Sequence, residues 1–396
     1  MFLQLFQQLD ALLLQHRQFW QCQPMQMAWP THWPQPLQQR LQALSLETCQ
    51  AIDADPAQQQ QYFAEHFVDV FQTLPVFPRV QAADQALPFW LATDVPGRKW
   101  QQISQFVAAM QHSQLDSTAP VLEWCAGKGH LGRALAFTGA SQVTSLEWQA
   151  SLCQQGQALS DKLKLAQTFV CADVLAGSPD EHLQPAQRLV AMHACGDLHR
   201  VAIRHGAKRR VAEMAVLPCC YHLQQAATYQ PLSAAAKASQ LQLSKADLRL
   251  AVQQQATAGA RVQRLSHTEM LWRHAWRQWQ LLLDATAPYQ PLQSLPKQVF
   301  SQGLAEFFAL ASAQHQRNVP ETSLWPELLQ RAAQALLQQR RLELVQHLFR
   351  RPLELWLVLD LVLSLQQQGY AVELLELCEA QLTPRNLLIR ALRQEV

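Results

Sequence analysis

Glycine is scarce in this chain, at 12 of 396 residues, while glutamine is abundant. Glutamine forms helices readily and stays soluble without charge, so the pairing predicts a largely helical protein. Charged residues make up only 16% and the net charge is +2, which points to no nucleic-acid partner and leaves room for a local basic patch. Nine cysteines form an odd set without a regular framework. That excludes a disulfide-stapled scaffold and indicates reduced thiols in a cytoplasmic protein. No apolar run approaches the roughly 20 residues of a membrane span. Met1 to Trp20 is apolar at helical spacing, carries Asp10 and has no basic leader, so it reads as an amphipathic helix rather than a signal peptide. What remains, at 49% hydrophobic, is a globular chain long enough for one large core or two to three smaller ones.

Residues 1–96 read as a helical region with proline-rich joints. Leu3, Phe6, Leu9, Leu13 and Leu14 share one helical face, and Met25 to Pro36 is an extended connector. A helix then begins at Gly97, with Arg98 and Lys99 at its start, where cations are unfavourable for the helix dipole. They are either a solvated pair or cations facing an anionic substrate at the rim of a site. From Val121 the pattern alternates. Strand-like runs fall at Val121–Leu122, Gln142–Leu146, Thr168–Cys171, Leu189–Met192 and Met214–Leu217, with helical segments His130–Phe137, Gln149–Lys164 and Leu198–Arg210 between them. Such alternation predicts an α/β fold with a parallel sheet, whose ligands bind at the carboxyl ends of the strands.

The strand ends carry the chemistry. The first ends on Glu123, before a loop C-A-G-K-G (Cys125 to Gly129) that leads into a helix N-terminus with unpaired N–H groups. The second ends at Glu147, suited to ribose hydroxyls, and the third at Asp173. The fourth ends in H-A-C-G-D (His193 to Asp197) and the fifth in P-C-C-Y-H (Pro218 to His222). Any one acid at a strand end is an ordinary solvated residue; three beside a glycine loop make a nucleoside cleft the better reading. The loop lacks the G-x-G-x-x-G pyrophosphate fingerprint, because Cys125 stands where its first glycine would be. A single nucleoside with a sulfonium tail, S-adenosylmethionine, fits better than a dinucleotide.

A-G-K-G-H-L, M-H-A-C-G-D-L and P-C-C-Y-H, in this order, resemble the S-adenosylmethionine-dependent methyltransferase family that includes the eukaryotic tRNA 2′-O-methyltransferase of the acceptor stem. T-P-R-N-L (Thr383 to Leu387) is similar to that family's C-terminal signature, while Leu361 departs from the arginine that related chains often carry beside Asp360. The resemblance implies a class I (Rossmann-like) methyltransferase sheet with a closing antiparallel hairpin, Tyr370–Leu377 and Leu387–Leu392. The chain then divides into the helical region 1–96, a cofactor-binding core 97–222, a helical insertion 223–368 and the hairpin 369–396. Helical periodicity at Phe300–Ala313, Leu324–Gln338 and Leu342–Leu365 agrees with the insertion. By the same resemblance Glu123, Cys125, Ala126, Gly127 and Gly129 form the methionine side of the pocket, Glu147 holds the ribose and Asp173 the adenine, with His193 adjoining.

Methyl transfer to a hydroxyl needs positioning and removal of a proton. His193, Asp197, Tyr221 and His222 are the candidate catalytic residues. Either histidine is a candidate base, Tyr221 a group to stack on an aromatic acceptor, and each is also an acceptable structural residue. His193, Cys195, Cys219 and His222 are zinc ligand types, but H-x-C and C-C-x-H lack the usual C-x-x-C spacing, so no metal is expected. Two basic stretches are candidate RNA contacts: Arg200, Arg204, Lys208, Arg209 and Arg210, or the interleaved Trp272, Arg273, Trp276, Arg277 and Trp279. A solvated helix face and the edge of a packed core are their plainer readings. RNA, tRNA first, is the expected acceptor by resemblance alone. A protein or small-molecule acceptor, or a non-catalytic scaffold that binds the cofactor, is the alternative.

Overall fold

The computed structural model describes residues 1–81, 86–177, 179–253 and 260–394. They form two compact units: Met1–His16 with Gln72–Ala256 and Phe349–Val396, and Arg17–Phe71 with Thr257–Leu348. The first unit is built on seven strands: β1 Val121–Trp124, β2 Val143–Glu147, β3 Gln167–Cys171, β4 Arg188–Cys195, β5 Glu213–Cys219, β6 Tyr370–Glu376 and β7 Leu387–Arg393. Their order is β3-β2-β1-β4-β5-β7-β6. The first five are parallel, and β7 runs antiparallel between β5 and β6. This is the α/β, class I methyltransferase sheet expected from the motifs, with its switch point between β1 and β4. Inner strands β1 and β5 are buried at every residue, as strands covered on both faces must be, while outer strands β3 and β6 mix buried and exposed positions.

Helices Gly97–Gln111 and His130–Phe137 supply Ile103, Phe106, Val107, Leu131 and Leu135 to a core that includes Val121, Val143, Val190 and Leu217. Helix Arg350–Gln367 is apolar nearly all round, and only burial satisfies such a surface. It packs against β6, β7, the helix Asp197–Lys208 and the N-terminal helix Phe2–Gln15. Phe6 meets Trp356 at 5.2 Å between rings, and Trp356 Nε1 donates to Asp10 Oδ1 at 2.8 Å. Asp360 lies in the same helix, fully buried. It accepts from Tyr229 Oη at 2.8 Å and from the Ser233 N–H at 2.7 Å, which makes it an anchor for the chain after β5.

The units cut across the boundaries read from the sequence. Region 1–96 is divided because Phe2–Gln15 packs on Arg350–Gln367, and region 223–368 is divided because that helix belongs with the sheet. The expected helix Leu342–Leu365 is two: Trp325–His347 and Arg350–Gln367 break at Leu348 and Phe349. Pro352 explains the break, since it lacks the N–H that would bond Leu348 and its ring would strike that carbonyl.

The second unit is helical. Trp276, Phe307, Phe308, Leu328 and Ala332 form its core, with Trp272 and Trp279 packed against it. Arg273 and Arg277 donate to the carbonyls of Leu292 and Ala287 at 3.0 and 2.9 Å. The interleaved tryptophan–arginine stretch is therefore a core edge with its cations engaged on backbone.

Candidate functional site

The loop after β1 is shaped by residues in the left-handed region: Cys125 at φ 56°, Gly127 at 60° and Gly129 at 65°. These left-handed residues turn the chain sharply, and the Gly129 N–H closes the turn on Ala126 O at 2.9 Å. Cys125 accepts a backbone that costs an L-residue about 1–2 kcal/mol. Burial pushes its thiol pKa up to about 12, with Glu147 adding to the rise. Ala126 N–H is bonded to Leu146 O at 2.8 Å, tying the loop to β2. A Cβ on Gly127 would meet nothing within 4 Å, so the loop's crest is open. Gly129 and Gly132 are closed in: a Cβ on either would collide with Gln167, and Gly129 also faces Phe169. The buried Arg133 donates to Lys128 O at 2.5 Å and approaches His130 Nδ1 at 2.5 Å. Burial and that guanidinium push His130 down to about 3, so its ring is a neutral acceptor.

Glu123 does not face the open side. Ser145 Oγ donates to it at 2.6 Å, Gln167 Nε2 lies 3.4 Å away, and only 4% of the residue is exposed. Burial pushes its pKa up to about 7, against the hydrogen bonds of Ser145 and the Gly132 N–H. Its carboxylate sits behind the loop because Gly132 leaves the space for it. Glu147 is placed otherwise. It accepts the Gly127 N–H at 2.9 Å and the Gln149 N–H at 3.0 Å, joining the loop crest to the end of β2. Asp173, exposed after β3, accepts the Leu175 N–H at 2.9 Å. It borders a hollow of about 360 Å³ shared with Val174, Gly177 and His182, which contains none of the glycine-loop residues.

At the ends of β4 and β5 the register slips. Met192 opposes Leu217, yet Cys195 opposes Cys219, so His193 and Ala194 together face Pro218. This bulge holds His193 at φ 60° and re-aims the residues around it. His193 Nε2 lies 2.5 Å from Gln102 Oε1 on helix Gly97–Gln111. An amide oxygen only accepts, so Nε2 carries the proton and Nδ1 keeps its lone pair. Burial lowers the His193 pKa, and the charges of Lys99 and Arg385 lower it further. Lys99 thus acts on the site, whereas Arg98 donates to Gln381 O at 3.1 Å.

The remaining candidates are engaged internally. Asp197 accepts the Gln225 N–H at 2.7 Å and pairs with Arg200 at 3.6 Å, and its own N–H donates to Leu223 O at 3.1 Å. It anchors the loop after β5 to a helix start. Tyr221, expected to stack on an acceptor, is 3% exposed, with His199 edge-on at 5.8 Å. Its buried hydroxyl has no hydrogen-bond partner among the described residues. His222 is half-buried, and its Nδ1 has no partner. Cys195 Sγ and Cys219 Sγ are 3.5 Å apart, and Cys220 joins them. Of the basic stretch 200–210, Arg200 stacks on Tyr229 at 4.5 Å and Lys208 pairs with Asp180 at 2.6 Å. Gln102, Arg133, Gln167 and Arg385 escaped the sequence reading. Two left a trace: Gln102 lies one helical turn after Lys99, and Arg385 is the arginine of T-P-R-N-L.

Residues 98–227 match the family profile of a methyltransferase domain. That stretch is about a third of the chain. Over 134 residues the chain is 31% identical to the glutathione S-transferase C-terminal domain-containing proteins of Homo sapiens and Macaca fascicularis. That alignment covers 33% of this chain and 20% of the relatives, so the chain spans about a fifth of their length. Among solved structures, an rRNA methylase from Streptococcus thermophilus is 14% identical at a TM-score of 0.25, covering 31% of this chain and 71% of that one. A SAM-dependent methyltransferase from Aquifex aeolicus is 12% identical at 0.26, covering 33% and 72%. Strand order and the antiparallel β7 carry the fold assignment.

Proposed function

We propose that this chain is an S-adenosylmethionine-dependent methyltransferase that acts on RNA, tRNA first. The observation that carries the cofactor reading is the bond from the Gly127 N–H to Glu147 at the switch point of a parallel sheet. An open backbone crest, a helix N-terminus and a carboxylate suited to ribose hydroxyls, side by side, support this reading. S-adenosylmethionine supplies an electrophilic methyl on a sulfonium. Gly127, Gly129 and the first turn of His130–Phe137 receive the methionine end, with Cys125 and Ala126 as its wall. Glu147 takes the ribose hydroxyls and Asp173 the adenine side. Glu123 acts from behind, holding the loop through Gly132 and Ser145.

His193 is the residue we assign to proton removal. Its free Nδ1 accepts the proton of the acceptor hydroxyl while Gln102 fixes the ring. Asp197 and Tyr221 act as supports, and His222 takes no part in the proton transfer. Lys99 and Arg385, both acting electrostatically on His193, favour an anionic acceptor, which is what an RNA backbone offers.

Calorimetry with S-adenosylhomocysteine tests the cofactor assignment. Binding should weaken at least about tenfold in Glu147→Ala, about 1.4 kcal/mol; unchanged affinity overturns it. Labelled S-adenosylmethionine incubated with RNA, protein and metabolite fractions from cells lacking the gene tests the acceptor. Label in RNA that disappears with His193→Gln is the expected result. Label confined to protein or metabolites rejects RNA, and cofactor binding with no turnover on any fraction favours the scaffold.

A further inference from the structure

Three thiols converge at the acceptor end of the sheet, and nothing in methyl transfer uses them. Cys195, Cys219 and Cys220 have their sulfur atoms within 4.8 Å of one another, with Cys195 and Cys219 at 3.5 Å. Two features of the backbone produce this. The bulge in β4 brings Cys195 directly opposite Cys219. Consecutive strand residues ordinarily point to opposite faces, which would part Cys219 from Cys220. Cys220, however, is left-handed at φ 47°, and that turn returns its sulfur to the side of Cys219.

We propose that Cys195, Cys219 and Cys220 bind a zinc ion as three thiolates, with the His222 imidazole as fourth ligand. Tetrahedral zinc with bonds of about 2.3 Å sets its sulfur atoms about 3.8 Å apart, close to the spacing already present. The trio is otherwise poorly satisfied, for thiols are weak donors and weak acceptors to one another. Cys195 finds one further acceptor, His193 O at 3.5 Å. His222 follows two residues after Cys220 and keeps a buried Nδ1 without a partner. It stands outside the tight group of three, so its side chain must turn toward the sulfurs to take the fourth position. Binding releases the thiol protons to solvent and involves no redox change. The ion would staple β4, β5 and the loop that follows, beside His193 but without entering the transfer.

The full-length protein, purified without chelator, should carry about one zinc per chain, in the range of a closed structural site. Cobalt(II) substitution should give thiolate charge-transfer bands and the intense visible bands of a tetrahedral site. In the unmutated protein, zinc should protect Cys195, Cys219 and Cys220 from alkylation, read by peptide mass, and leave the exposed Cys171 reactive. A folded protein that takes up neither metal, or protection of other cysteines, overturns the site. Cys195→Ser/Cys220→Ser, folded by circular dichroism, should lose the metal; retention overturns it too. His222→Ala should keep the zinc but surrender it to a competing chelator at least about tenfold faster. An unchanged rate removes His222 from the set.

Discussion

Glu123 shows how little a residue's place in a motif says about its work. It closes β1 where a ligand-facing acid is expected, yet its carboxylate is buried among Ser145, Gln167 and Gly132. A folded pKa of about 7, against an ordinary 4.5, means the fold prefers the protonated form. The stability it contributes is therefore full below about pH 4.5 and is lost as pH rises through about 7, a loss of about 3 kcal/mol. Glu123→Gln keeps the shape and cannot ionise. Urea midpoints at pH 5 and pH 8 should converge in this variant while the parent falls between them. Parallel falls in both proteins would show that Glu123 is not the titrating group. Gln167 was invisible as a participant because its partners, Ser160, Ser145 and the Gly129 carbonyl, lie on three other segments.

Elements shape the ends of β4 and β5. The β4 bulge, the left-handed Cys220 and the loop after β5 are local backbone events without a composition signature. Gly196 is the exception, since its need is steric. At φ 57° it lies under the Leu223 backbone, and a Cβ there would overlap that carbonyl. Gly196→Ala should destabilise the methyltransferase unit by roughly 2–5 kcal/mol, from a disfavoured φ and an overfilled contact. Gly97→Ala, where a Cβ meets nothing within 4 Å, should leave the midpoint within about 1 kcal/mol. Chemical denaturation of both variants separates the two outcomes. Equal effects would mean that the Leu223 contact does not constrain the H-A-C-G-D turn.

For the molecule as a whole, the first helix behaves as part of the sheet unit despite lying more than a hundred residues before β1. Phe2, Phe6, Leu9, Leu12 and Leu13 are buried, and their helix packs on Arg350–Gln367. Phe6→Ala should cost about 3–5 kcal/mol, the range for emptying a buried aromatic site. It should lower the denaturant midpoint together with the affinity for S-adenosylhomocysteine measured near that midpoint. Stability unchanged by Phe6→Ala would assign the helix elsewhere. None of the described helices is long and apolar enough to cross a membrane.

The sequence by itself determined the strand–helix alternation and the glycine loop, because these rest on local periodicity and short-range turn chemistry, while the closing hairpin was placed by the family resemblance. Strand ends fell within a few residues of their expected places, and helix His130–Phe137 matched at both ends. Tertiary structure alone decided which strand-end groups remain available. Glu147 reaches the loop crest, while Asp197 is taken by the Gln225 N–H and Tyr221 is buried against His199. It also set Gln102 against His193, gathered three thiols across a bulge, and drew Phe2–Gln15 to a helix more than three hundred residues later. Those pairings depend on how distant segments pack, and no window of sequence contains both partners.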